Sequence, residues 1–336
     1  MKLKKIHIQN YKSLVDLEIV EPNPFTVFAG PNGSGKSNIF EALEFMAYNS
    51  RLKMADAILI FGGQEIIINV NSTKEDFYIG YEFDDFVYSI ELKGNESSTS
   101  GKYLRTNVNH INPYFLPQDI SLPKKKISDI FFTSFLRFFI RNSLLNRIRY
   151  TSDTRLLPDA SNMEPIIKEI ISTPNSEEFI DWLQLFVPGF ENIEIHSDNI
   201  SGRDSLLIYE KGTKKPFTKN LISDGTYNIL CLLAAVYQAK EPQFLCIEEP
   251  ENGLNPYVVR SLVEFFRTQC EEKGHYIWLN THSQTLVKEL KPHELILVDK
   301  VDGATRIKQF PKDYNIYSLD MDEAWLSNAL GGGIPW

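Results

Sequence analysis

The chain has 336 residues, of which 43% are hydrophobic, 24% charged and 12% aromatic, with 18 Gly and 17 Pro. These values are those of an ordinary globular protein and exclude a disordered, collagenous or coiled-coil-dominated one. Its 35 basic and 44 acidic residues give a net charge of -9, which argues against a uniformly basic nucleic-acid coat but leaves room for a local basic face.

No run reaches the ~18 apolar residues of a membrane helix, and the opening MKLKKIHIQNYKSL lacks the apolar core of a signal peptide. Cys231, Cys246 and Cys270 share no metal-type spacing and sit in apolar surroundings, so we expect buried, reduced thiols in a cytoplasmic protein.

Residues 3–8 read as a short amphipathic strand, 14–20 as a second and 25–29 as a third. The third, Phe-Thr-Val-Phe-Ala, is almost wholly apolar, as a strand covered on both faces should be. It runs directly into Gly30-Pro31-Asn32-Gly33-Ser34-Gly35-Lys36-Ser37 and then a helical stretch over 38–49. The octet fits G-x-x-x-x-G-K-[ST] between a strand and a helix, the context that confirms a phosphate loop. Glycines let backbone N–H groups turn inward around phosphates, and the helix N-terminus adds partial positive charge. Lys36 should reach the β- and γ-phosphates of ATP, and the Ser37 hydroxyl should ligate Mg²⁺.

Residues 66–94 alternate, are rich in aromatics and predict a β-meander; the polar stretch 95–101 predicts a mobile hairpin or loop. Residues 127–149 read as a helical lobe, followed by helices over 164–171 and 177–186 and a return to the core near 189–192. The stretch Lys124 to Arg155 holds Lys124, Lys125, Lys126, Arg137, Arg141, Arg147, Arg149 and Arg155 against Asp129 and Asp153. A helix would set Arg137 and Arg141 on one face, which could grip DNA or RNA phosphates, stand as a solvated face or contact an acidic partner.

Leu221-Ile222-Ser223-Asp224-Gly225-Thr226 leads into an apolar helix over 227–238; Ser-x-Gly at a helix start is an anion site or a plain N-cap. An apolar strand over 244–247 ends in Glu248-Glu249-Pro250. Two acids at a strand tip are an ordinary turn by themselves, but behind a phosphate loop Glu248 is suited to the Mg²⁺ side and Glu249 to polarising water. A last buried strand, 276–279, delivers Asn280-Thr281-His282-Ser283 at its C-terminal end, where open α/β sheets bind ligands. His282 is thereby placed to bond the γ-phosphate or position the lytic water.

Together these residues resemble ATP-binding-cassette-type ATPases of the SMC, RecF and OLD group. Ile8-Gln9-Asn10-Tyr11-Lys12-Ser13-Leu14 looks like their first strand and turn, and Gly30 to Ser37 with Asn38 matches their Walker A loop. Ile222–Thr226 is similar to a degenerate signature motif, Ile247–Pro256 to a joined Walker B and D-loop, and Thr281-His282-Ser283 to the switch histidine. Asn255 replaces the usual D-loop histidine, and Glu248 the usual aspartate. Lys36 and Ser223 are 187 residues apart (223 − 36), too close for long coiled-coil arms, and 54 residues after His282 (336 − 282) are too few for a Toprim nuclease.

The nearest resemblance is therefore to compact OLD-like AAA ATPases, many of them in bacterial phage-defence systems. It implies an α/β P-loop head with an antiparallel β subdomain and an inserted helical lobe, divided as 1–123, 124–190 and 191–336. It further implies ATP sites between two heads of a homodimer or higher oligomer, with Lys36, Ser37, Glu248, Glu249 and His282 from one protomer and Ser223 and Gly225 from the other. The output would be control of a separate effector such as a nuclease, or loading on DNA in repair, or a nucleotide-gated scaffold. Gln118 is a candidate for the Q-loop glutamine and Arg155 for a helical-lobe arginine. The aromatic tail after Gly331 is expected to dock on its own body.

Overall fold

The computed structural model describes residues 2–74, 76–84, 86–93, 96–103, 134–139, 155–197, 204–316 and 319–333. Gln118, Lys124, Lys125, Lys126, Arg141, Arg147, Arg149, Asp129 and Asp153 lie outside them.

The antiparallel strands β1 (Leu3–Tyr11) and β2 (Leu14–Val20) precede β3 (Phe25–Ala29) and helix α1 (Lys36–Asn49). Two short helices follow, α2 (Met54–Ile60) and α3 (Gln64–Ile67), and then β4 (Phe77–Phe83), β5 (Phe86–Lys93) and β6 (Glu96–Tyr103). The meander thus starts at Phe77, because residues 64–67 close a helical turn. It also takes in the polar stretch, which follows the hairpin alternative of the two expected, since β6 pairs antiparallel along its length with β5. These strands form one sheet ordered β2-β1-β4-β5-β6.

The expectation of a helix over 127–149 fails at its centre. Phe135–Phe139 is a strand, β7, paired parallel to the strand that carries Glu248. Four apolar residues around one arginine suit a sheet edge, and that partnership overrides helical propensity. Helices α4 (Met163–Ile171) and α5 (Ser176–Phe186) then lead to a three-stranded antiparallel sheet of β8 (Phe190–Ser197), β9 (Asp204–Glu210) and β10 (Phe217–Thr218).

The last third contributes α6 (Asp224–Tyr237), β11 (Phe244–Glu248), α7 (Pro256–Lys273), β12 (Tyr276–Thr281), α8 (Gln284–Lys288), β13 (Leu295–Val301), β14 (Ala304–Gln309) and α9 (Met321–Leu326). The central sheet runs β14-β13-β3-β12-β11-β7, with every pairing parallel except β13 with β14. Alternation along its strands splits the apolar side chains between two cores. Phe28, Cys246, Trp278 and Val298 face α1 and the antiparallel sheet, while Val27, Ile247, Leu279 and Leu297 face the helices α4 to α7. The helices of residues 163–186 share that second core rather than standing apart from it.

The tail folds back as far as Gly333, and the aromatic end expected to dock, Trp336, lies outside the described residues. Trp325 Nε1 donates to the Gly333 carbonyl at 2.8 Å, the Gly333 N–H reaches Asp299 Oδ1 at 2.6 Å, and Leu330 is buried.

Candidate functional site

Parallel pairing brings the carboxyl ends of β3, β12, β11 and β7 into one row. Phe28 lies opposite Asn280, Asn280 opposite Glu248, and Glu248 opposite Phe139. Gly30 to Gly35 form the loop after β3, with Asn32 and Gly33 exposed and Ser34 buried. Gly35 carries φ 104° at the N-cap of α1, and Lys36 and Ser37 open the helix.

Lys36 is buried, and its Nζ donates to the carbonyls of Gly30 at 2.7 Å and Pro31 at 3.0 Å. Burial pulls its pKa down against the opposing pull of Glu249, Glu248 and Glu251. The ammonium thus rests on the carbonyls of its own loop.

Ser37 Oγ donates to Glu248 Oε2 at 2.7 Å, across 211 residues of sequence, and Asn280 Nδ2 donates to the same oxygen at 3.0 Å. A hydroxyl and a carboxylate oxygen at this spacing are the hard donors that Mg²⁺ takes when a nucleotide's phosphates supply the rest. The residues present therefore fit that ion.

Glu249 follows at φ 48°, its N–H held by the Asn280 carbonyl at 2.9 Å. Its Oε1 lies 3.3 Å from His282 Nδ1 and its Oε2 accepts from Asn252 Nδ2 at 2.7 Å. Both side chains of the Glu249–His282 pair are partly open to solvent. Glu251 takes the hydroxyl of Thr281, and burial pushes its carboxyl above the usual range.

Ser223 and Gly225 stand at the start of α6. Ser223 Oγ accepts from Thr226 N at 3.1 Å and so caps the helix. A Cβ on Gly225 would come 2.8 Å from the Gly253 carbonyl, so glycine here lets α6 start against the turn that follows Glu249. Asn255, in place of a histidine, caps α7 by accepting from Tyr257 N at 2.9 Å.

Residues 25–288 match the family described as "AAA domain, putative AbiEii toxin, Type IV TA system", which is most of the chain. The chain belongs to this AAA-domain family. It carries that family's ATP-binding P-loop ATPase domain, and it is similar in sequence to RecF proteins and in fold to SMC heads. The DNA replication and repair protein RecF of Lactococcus lactis subsp. cremoris (strain SK11) is 23% identical over 251 residues, 68% of each chain. RecF of Corynebacterium jeikeium is 38% identical over 74 residues, 22% of this chain and 17% of that protein. The chain is also similar to a solved SMC head bound to the C-winged helix domain of ScpA (TM-score 0.66, 15% identity, 93% of this chain and 98% of that one) and to the SMC head domain of Thermotoga maritima (TM-score 0.56, 17% identity, 93% and 100%). These two likenesses concern the fold.

Around the AAA-domain loop are residues whose part the sequence does not announce. Asn38 Nδ2 donates to Ser13 Oγ at 2.7 Å, Ser13 Oγ lies 2.7 Å from Thr305 Oγ1, and Thr305 Oγ1 donates to the Ser34 carbonyl at 2.9 Å. The turn after β1 and the hairpin of β13 and β14 thus clamp the loop from both sides. Arg137 was expected on an exposed helical face. It is 4% exposed, in β7, among Glu41, Glu44 and Glu248. Its signal was present: one cation in an otherwise apolar, aromatic five-residue run reads as a strand as readily as a helix. Arg155, the other described arginine of that segment, lies near Arg51, and burial lowers its pKa.

Proposed function

We propose that this protein is an ATP hydrolase that works as a nucleotide-driven dimerisation switch and controls a separate effector. The observation that carries it is the row Lys36, Ser37, Glu248, Glu249 and His282 along the carboxyl ends of three adjacent strands. In this reading Lys36 binds the β- and γ-phosphates while Ser37 and Glu248 hold Mg²⁺, which neutralises the charge that develops on the phosphoryl oxygens. Glu249 takes the proton from the attacking water, and His282 orients Glu249 and that water.

Ser223 and Gly225 from a second copy would close the γ-phosphate side. Two exposed apolar side chains support a surface that closes in this way: Leu221, next to the signature segment, is 67% exposed, and Tyr257, beside Asn255, is 63% exposed. The family description, a toxin of a toxin–antitoxin system, supports a defence-type effector over a housekeeping role. Among the described residues no helix is long and apolar enough to cross a membrane, which agrees with the cytoplasmic placement proposed here.

The test is the mass and ATP turnover of the chain with and without duplex DNA, beside Glu249→Gln. We expect the variant to lose turnover by about 10²–10⁴-fold and to accumulate as an ATP-bound dimer. Turnover that rises with DNA would move the function to the repair-type reading that the RecF likeness suggests. Unchanged turnover in Glu249→Gln would refute the assignment of the base.

A further inference from the structure

The structure places Arg137 where a sequence reading would not look for a nucleotide-site residue. In β7 it pairs with Cys246, so its side chain shares a sheet face with Glu248, two residues further along β11. Helix α1 crosses that face with Glu41 and Glu44. The guanidinium donates to Glu248 Oε1 from Nε at 2.8 Å and from Nη2 at 2.5 Å. Its Nη1 donates to Glu44 Oε2 at 3.1 Å and lies 3.9 Å from Glu41 Oε2, and its plane sits 4.4 Å over the Phe139 ring. Burial alone would weaken the charge, but Glu248, Glu44 and Glu41 outweigh it and hold the guanidinium firmly protonated.

The two oxygens of Glu248 therefore have separate partners. Oε1 is taken by the arginine fork, and Oε2 by Ser37 and Asn280. A glutamate has one more rotatable bond than the aspartate usual at this position, and that freedom would let the carboxylate swing away from the phosphate loop. A planar fork with two donors on one oxygen removes the freedom; a lysine, a single compact charge on a flexible stem, would not.

We propose that Arg137 is the positioning residue of the metal side of the site, and that a glutamate serves there because Arg137 fixes which oxygen it presents. The proposal rests on the reading that Ser37 and Glu248 hold the Mg²⁺ of bound ATP. It predicts a division of labour: Arg137 governs how tightly the metal is held once nucleotide is present, and has little part in holding the nucleotide itself.

The experiment is a Mn²⁺ titration, followed by electron paramagnetic resonance, of the full chain saturated with a non-hydrolysable ATP analogue. Metal-free nucleotide affinity and thermal midpoint are measured alongside. Arg137→Lys is expected to weaken Mn²⁺ binding at least ten-fold while nucleotide affinity without metal stays within two-fold. Glu248→Asp should also weaken the metal, because the shorter arm cannot reach both Arg137 and Ser37. The double variant should be no worse than the weaker single one, as for two residues acting through one contact.

Should Arg137→Lys fail to fold, Glu44→Gln loosens the Nη1 anchor without stranding a buried cation, and an approximately three-fold loss of metal affinity is expected. A folded Arg137→Lys, or failing that Glu44→Gln, that binds Mn²⁺ as tightly as the parent overturns the proposal and leaves Arg137 a structural ion pair. If Ser37→Ala and Glu248→Gln also leave Mn²⁺ binding unchanged, the metal-side reading falls first and the proposal with it.

Discussion

Two glycines of the phosphate loop allow a sharp comparison. Gly33 and Gly35 both have positive φ, 78° and 104°, so alanine is strained at either. Around Gly33 a new Cβ would meet nothing within 4 Å, and Gly33→Ala should cost only the left-handed backbone penalty, about 1–2 kcal/mol. At Gly35 the same Cβ would sit 2.0 Å from Thr305 Oγ1 and 2.8 Å from Ser13 Oγ, inside the clamp that holds the loop.

Gly35→Ala therefore adds an overpacking cost of about 1–3 kcal/mol to the backbone term, and the two variants should differ by about 2 kcal/mol, a factor near thirty in the folding equilibrium. Denaturant titration of both, followed by tryptophan fluorescence, reads the difference. Removing the obstructing hydroxyl with Thr305→Ala should return about 1 kcal/mol in the Gly35→Ala background while destabilising the parent. Equal losses for Gly33→Ala and Gly35→Ala, or no rescue by Thr305→Ala, would refute the argument that the clamp makes position 35 intolerant.

Burial, with Lys273 nearby, pulls His275 down to about 4 from its ordinary 6.5, and its Nδ1 accepts from Gln243 N at 3.1 Å. The unfolded chain binds that proton more readily, so stability should rise as pH climbs from 4 to 6.5 and level off above, by at most about 3 kcal/mol; His275→Asn should flatten that part of the profile, and an unchanged slope would show the acid loss comes from elsewhere. All three cysteines are buried, with burial raising each thiol pKa, that of Cys231 to about 12. A thiol reagent at pH 8 should therefore count none in the native protein and three after denaturation, and rapid native labelling would contradict the packing. Lys36→Ala should lower ATP affinity at least ten-fold, measured with a fluorescent analogue, since among the described residues Lys36 is the cation that donates to the loop's carbonyls; retained affinity would place the phosphates elsewhere.

Strands that run apolar from end to end, and loops whose polar residues follow a known spacing, could be read directly. Phe25–Ala29 and Phe244–Glu248 are covered on both faces, so nothing competes with the pattern, and the loop after β3 leads directly into α1 as its spacing predicts. What escaped depended on partners distant in sequence. Arg137 reads as a surface cation until β7 is seen beside β11, because a charge enters a core only with carboxylates that the chain supplies from 41, 44 and 248. For residues 96–103 the sequence leaves hairpin and loop both open, because the strand there is fixed by pairing with β5. Thr305 carries no motif at all; its importance lies in reaching back 292 residues to Ser13.

That long reach bears on how the protein is made. β3 is hydrogen-bonded to β12 on one side and β13 on the other, both of which emerge more than 240 residues later. A ribosome therefore releases the complete phosphate-loop sequence long before either neighbour exists, and a five-residue apolar strand must wait with both edges unpaired. Nucleotide cannot stabilise the nascent chain during that interval, because the clamp through Thr305 and the Asn280–Glu248 pair are still unsynthesised. Ligand-assisted folding is thereby confined to the part of translation that follows Thr305, and until then the chain depends on slow elongation or a chaperone to keep that strand from pairing with another molecule.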